Sequence, residues 1–149
     1  MSKIDVSIVK SLLNASKGDF RANVLNAFSY IREALGVHSW VGLYRKEEDG
    51  LHLSYFSGSV ACLYIPFGKG VVGESYIKGE EIYVSDVSTL KNYIACDERS
   101  KSEYVMPLVK GGEIKAIFDI DSDLLDGLKD EVEALREVGL LLLEATSSF

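Results

Sequence analysis

The spacing of apolar positions changes along this chain, and the changes divide it into helices and strands. Ile4, Ile8, Val9, Leu12 and Leu13 recur near the helical repeat and predict a short helix over Ile4–Leu13. A stronger stripe of Phe20, Val24, Ala27, Phe28, Ile31 and Leu35 predicts a helix over Asp19–Leu35, with Asp19 able to cap its start and Gly36 to end it. The period then shortens to two. SWVGLYR (39–45) and Leu51–Phe56 read as strands joined through the turn signal EEDG (47–50). Val60–Ile65 reads as a third strand, carrying Cys62 and ended by Pro66, and Ile82–Ser85 as a short fourth ending at Asp86. Val87–Ala95 reads as a loop with little regular structure. Glu103–Lys110 and Glu113–Asp121 flank Gly111-Gly112 and form a predicted hairpin. Leu128, Val132, Leu135, Val138, Leu141 and Leu142 return to the helical period inside a predicted long helix over Leu124–Ala145.

Helices at both ends around hairpin-linked strands imply an α+β domain spanning 1–149, with a mostly antiparallel sheet of about six strands. The terminal helices should cover one face, leaving the other face, or the loops over it, to hold a ligand. Composition agrees with an ordinary folded chain: 47% hydrophobic and 26% charged residues among 149. A formal net charge of −7 without a basic stripe argues against nucleic acid and anionic membrane as main partners. There is no apolar run of about 18 residues to span a bilayer. The N-terminal stretch lacks an uninterrupted apolar segment of the secretory kind, so the expected location is the cytoplasm. In that reducing setting the two cysteines do not form a structural framework, and a bridge between them would be transient and catalytic.

Candidate chemistry concentrates in one run, IACDERSKSEYVMPLVKGGEIKAIFDIDS (94–122). Cys96 lies in a polar loop beside Asp97, Glu98 and Arg99, where solvent and substrate can reach a thiol, although a cysteine taken alone is more often inert and buried. Cys62, between Ala61 and Leu63, reads as core unless it meets Cys96. Trp40 is a core residue or an aromatic wall for an apolar part of a ligand. Asp119 and Asp121 point to the same face of their strand, with Phe118 and Ile120 on the other. An unbulged hairpin would set Glu103 opposite Ile120 and turn it away from both aspartates. One residue of slip would set Glu103 opposite Asp119, Tyr104 opposite Phe118 and Met106 opposite Ala116, separating acidic from apolar faces. An odd loop or a bulge near Pro107 is therefore expected.

Other signals are weaker. Gly68–Gly73, GKGVVG, matches the dinucleotide fingerprint G-x-G-x-x-G, but the space before Ile82 is too short for a crossover helix. A glycine turn opening a short helix, its backbone N–H groups facing a pocket, accounts better for it. Cys62, Cys96, His38 and His52 are isolated from one another, so no metal site is expected.

SWVGLY (39–44), FSGSVACLYIPFGKGVVG (56–73), SDV (85–87), IACDERSKSE (94–103) and FDIDS (118–122) together resemble the free methionine-(R)-sulfoxide reductases, small enzymes built on a single GAF domain. The resemblance runs from about Ser39 to Ser122. It implies that Cys96 is the thiol attacking the sulfoxide and that Cys62 then closes a disulfide with it. It further implies that Glu103 and Asp121 engage the sulfoxide oxygen, that Asp119 and Asp86 hold the substrate ammonium, and that Trp40 packs on its methyl group. The family's third cysteine, in the glycine turn, is Val72 here, so an intramolecular bridge must join Cys62 and Cys96; Tyr64 stands where a basic residue is expected. The implied activity is reduction of free L-methionine-(R)-sulfoxide under oxidative stress, without a cofactor, recycled by thioredoxin or a similar dithiol. A homodimer is the implied assembly. The competing reading is a non-catalytic GAF domain that binds or senses a small molecule.

Overall fold

The architecture follows from which residues each element must bury. In the computed structural model, which describes residues 1–94 and 96–145, the first helix, α1, spans Val6–Leu13. It starts where the Asp5 carboxylate accepts the Ser7 N–H at 3.0 Å. Helix α2, Phe20–Leu35, is capped in the same way by Asp19 through the Ala22 N–H at 3.2 Å. Its predicted stripe faces inward, with Val24, Ala27, Phe28 and Ile31 buried.

Six strands follow: β1 Trp40–Glu47, β2 Gly50–Ser57, β3 Tyr64–Ile65, β4 Ile82–Val84, β5 Ser102–Lys110 and β6 Glu113–Ser122. They form one sheet in the order β3-β2-β1-β6-β5-β4, antiparallel at every pairing, as the α+β reading anticipates. Helices α1, α2 and α4 (Val132–Ala145) seal one face over Val41, Leu43, Tyr104, Met106, Leu108, Phe118 and Ile120. Trp40, Tyr44, Val105 and Ile117 line the other face beneath α3, Gly70–Lys78. No described helix is long and apolar enough to cross a membrane.

Three expectations need correction. The hairpin does carry a bulge that gathers the acids, but the slip runs opposite to the expected one. Lys110 pairs with Glu113 and Val109 with Ile114, after which Leu108 pairs with Ala116. Lys115 of β6 is therefore the extra residue, and Pro107 sits in ordinary register opposite Ile117. Glu103 faces Asp121, and Asp119 faces Val105. Either slip separates the faces equally well, so face polarity alone does not choose between them.

The third strand is only Tyr64–Ile65, paired with His52 and Leu51. The Leu63 carbonyl still accepts the Leu53 N–H at 2.9 Å, but residues 60–62 leave the ladder, where Cys62 is bonded to Cys96 and its carbonyl accepts the Tyr44 hydroxyl at 2.9 Å.

The last helix begins at Val132, not Leu124. Asp126 takes a left-handed φ of 49°, its N–H donates to the Ser85 carbonyl at 2.8 Å, and its carboxylate accepts the Tyr83 hydroxyl. The Gly127 N–H donates to the Ser102 hydroxyl at 3.2 Å. These bonds spend the segment's backbone polarity on the sheet edge, and the fully buried Leu128 fits the helical period only by coincidence. The loop predicted over Val87–Ala95 holds one short 3₁₀ turn, Val87–Thr89; its last residue, Ala95, lies outside the described residues.

Candidate active site

The pocket lies on the face opposite the three sealing helices, between the sheet, α3 and the loops that carry the two cysteines. Its roof begins at the glycine turn. Gly68 and Gly70 have φ of +82° and +63°, values that a side chain would resist. The turn closes through Lys69 N–H to the Pro66 carbonyl at 3.1 Å and Gly73 N–H to the Lys69 carbonyl at 2.9 Å. Helix α3 then starts with no side-chain cap, and Lys69, Gly70, Val71 and Val72 line the pocket. Lacking a parallel strand on either side, the GKGVVG motif has no βαβ unit in which to hold a dinucleotide.

The floor is acidic. The bulge and the strand alternation bring Glu103, Asp119 and Asp121 to one face, with one carboxylate oxygen of each within 4.8 Å of the others. Glu103 and Asp119 are buried and Asp121 half-buried. Burial, then the charges of Asp119 and Asp121, push the Glu103 carboxyl well above the usual carboxylate range. Burial and the neighbouring Asp119 push Asp121 well up too. Asp119 rises to about 6, burial outweighing a hydrogen bond from Glu103. Buried like charges cannot all ionise, so the trio holds protons near neutral pH. Asp119 Oδ1 is buried and has no hydrogen-bond partner. Among the described residues, the trio is the group of carboxyls whose geometry could hold a cation; with proton affinities this high, a proton or an ammonium suits it.

Cys62 and Cys96 meet in a disulfide with Cα atoms 5.5 Å apart, so the pairing that sequence left open is made. Cys96 lines the pocket together with the acid trio and Trp40. A latch holds the two cysteine loops together. Asp97 Oδ2 accepts the Ser59 hydroxyl at 2.7 Å, and Asp97 Oδ1 accepts the Arg99 N–H at 2.9 Å. The Arg99 side chain, more than any other partner, lowers the Asp97 carboxyl to about 2.

Trp40 walls one side, its Nε1 donating to the Ser59 carbonyl at 3.1 Å and its ring stacked on Tyr44 and Phe56. The indole lies flat along β1 only because residue 42 is glycine; a Cβ on any other residue there would collide with the ring. Asp86 is not brought to the lining. At the end of edge strand β4 its Oδ1 accepts the Ser88 N–H at 3.0 Å and the Ser88 hydroxyl at 2.7 Å, capping the Val87–Thr89 turn.

Sequence reasoning missed Tyr44, Lys69, Tyr93 and the Asp97 latch. Trp40, Gly42 and Tyr44 alternate on one strand, so the W-x-G-x-Y pattern carried a signal for Tyr44. Tyr93 lies in an irregular loop where no periodicity marks it. Burial and the nearby acids raise the hydroxyl pKa of both tyrosines, which keeps them protonated donors.

No family model matches the chain. The free methionine-R-sulfoxide reductase of Escherichia coli (strain K12) is 37% identical over 127 residues, covering 85% of this chain and 77% of that protein. The X-ray structure of the free methionine-R-sulfoxide reductase from Neisseria meningitidis, in complex with its substrate, matches with a TM-score of 0.86 and 34% identity. That match covers 94% of this chain and 84% of the other. A solved structure of the GAF domain matches with a TM-score of 0.79 and 31% identity, over 97% of this chain and 92% of that one.

Proposed function

The chain belongs to the free methionine-(R)-sulfoxide reductases, oxidoreductases of GAF fold, and on that premise we propose that it reduces free L-methionine-(R)-sulfoxide to L-methionine with Cys96 as nucleophile. One observation carries the reading: Cys96 shares a pocket with proton-holding carboxyls and lies within bonding reach of Cys62.

A sulfoxide sulfur becomes a good electrophile when its oxygen is protonated or strongly hydrogen-bonded. Glu103 and Asp121 supply that proton. The Cys96 thiolate attacks the sulfur, oxygen passes to Cys96 as a sulfenic acid, and methionine leaves as the thioether. The Cys62 thiol condenses with the sulfenic acid, forming the disulfide and releasing water. A dithiol protein of the thioredoxin kind, in a reducing compartment such as the cytoplasm, exchanges with the disulfide and restores both thiols.

Substrate orientation follows from the same residues. The unpartnered Asp119 Oδ1 faces the ammonium, and the Trp40 ring packs on the methyl group. The uncapped first turn of α3, with Lys69, receives the substrate carboxylate. Asp86 joins the ammonium only if the loop over 87–101 shifts once the disulfide is reduced. Carboxylates raise the pKa of a nearby thiol, and the bound ammonium and the trio's protons offset that.

The test is stoichiometric. Reduced protein mixed with the free (R)-sulfoxide should lose both of its thiols and release one methionine per chain. Cys96→Ser should release none. Cys62→Ser should release one methionine and then stop, even with thioredoxin present. A Cys62→Ser variant that releases no methionine would overturn the choice of nucleophile. A wild-type protein that binds the sulfoxide with no loss of thiols would return the chain to the small-molecule sensors.

A further inference from the structure

The two sulfurs of the disulfide do not face the same surroundings. Cys96 belongs to the pocket wall, with the acid trio in the same lining and Asp97 and exposed Glu98 following it in the chain. Cys62 is not part of that wall; it lies in the loop between β2 and β3, half-buried against the Trp40 cluster. Large apolar side chains flank it there: Val60, at the pocket rim, is 85% exposed and Leu63 74%. Apolar side chains so exposed on either side of a disulfide do nothing for the core, and they suit a protein surface that must settle beside that bond.

Thiol–disulfide exchange is an in-line displacement, so the attacking sulfur arrives on the side away from the leaving sulfur. Attack on Cys96 would bring a thiolate in from the side of the pocket, through the space that the substrate uses. Attack on Cys62 would instead come in beside the exposed Val60 and Leu63, which offer apolar contact. We propose that the Val60–Leu63 loop is the docking surface for a dithiol oxidoreductase, whose thiolate attacks Cys62 Sγ and expels Cys96. This rests on the reductase cycle proposed above and extends it to the recycling partner.

The exchange balances. The partner's first thiolate bonds to Cys62 Sγ as the Cys62–Cys96 bond breaks, and Cys96 leaves with the electron pair and takes up a proton on the pocket side. The partner's second thiol attacks its own sulfur in the mixed disulfide, Cys62 leaves as thiolate, and the partner departs oxidised by two electrons. Cys96 is thus freed where the next sulfoxide binds, and no stage joins it to the bulky partner.

A trapping experiment tests this on the intact oxidised chain, without any sulfoxide, so its outcome is independent of methionine release. A thioredoxin whose second active-site cysteine is replaced by serine is added, and the mixed disulfide is digested and mapped by mass spectrometry. Attachment at Cys62, in about tenfold or greater excess over Cys96, is expected. Attachment at Cys96, or equal attachment at both, overturns the proposal. In parallel, Leu63→Asp should slow reduction by intact thioredoxin about tenfold, as loss of one good interface contact would. Reduction by dithiothreitol should stay within about twofold, because a small thiol needs no docking surface. Equal slowing with both reductants, or no slowing with thioredoxin, removes the docking role.

Discussion

Ile120 and its neighbours Asp119 and Asp121 stand on one strand and face opposite ways. On the helix side Ile120 is fully buried among apolar residues of α1, α2 and α4. On the other side the aspartates meet Glu103, and among the described residues no lysine or arginine ion-pairs with the three. The first face lowers the free energy of the fold by removing apolar surface from water. The second raises it, since carboxyls are desolvated without a cation. Adjacent residues thus separate stability from chemistry across the thickness of one sheet. That division lets a small domain keep a strained pocket, because the sealed face supplies the stability that the pocket consumes.

Glu103→Gln should break the comparison hardest. The amide cannot deliver a proton to the sulfoxide oxygen, so the rate of the first methionine release should fall on the order of 10²- to 10⁴-fold. The fold should become more stable at the same time. A carboxyl whose folded pKa is raised destabilises the native state as pH climbs from the ordinary carboxylate range through the raised value. The variant's melting temperature should therefore exceed that of the wild type at pH 7.5, with the gain shrinking toward pH 5. A variant less stable than wild type at both pH values would contradict the strain assigned to this face.

Asp119 sharpens the picture through pH. With its carboxyl pushed up to about 6, it loses the charge that holds the ammonium below that pH. The kcat/KM for the free sulfoxide should fall about tenfold per pH unit on that limb, through KM, and Asp119→Asn should abolish the limb. Ile120→Val tests the sealed face between the same two aspartates. It should cost about 0.5–1.5 kcal/mol of stability, a drop of about 2–4 °C per kcal/mol in melting temperature, and leave methionine release per folded molecule unchanged. The smallest effect is expected of Asp97→Asn. Loosening the Ser59–Asp97–Arg99 latch should slow closure of the disulfide a few-fold, read as the lag between methionine release and loss of the second thiol. Because the Asp97 carboxyl is held near 2, the ratio of variant to wild-type lag should not vary with pH between about 5 and 8, although each lag shortens as more thiolate forms.

Much of this was legible in the chain itself. Helices α1 and α2, the Asp19 cap and the strands around Gly111-Gly112 follow from local periods and turn chemistry, which act over a few residues. The acids' shared face also follows, since alternation along β6 and the segregation of polar from apolar surface leave few registers. The bulge at Lys115 in place of one near Pro107, the release of residues 60–62 from the sheet and the late start of α4 do not follow. Each depends on partners distant in sequence: Cys96 for Cys62, Ser85 and Ser102 for the turn at 126–127, Asp121 for Glu103. Local pattern determined what each segment could be and which way its side chains point. Only the packed structure decided which segments meet, because the free energy of a long-range contact belongs to the whole set of buried surfaces and not to either stretch alone.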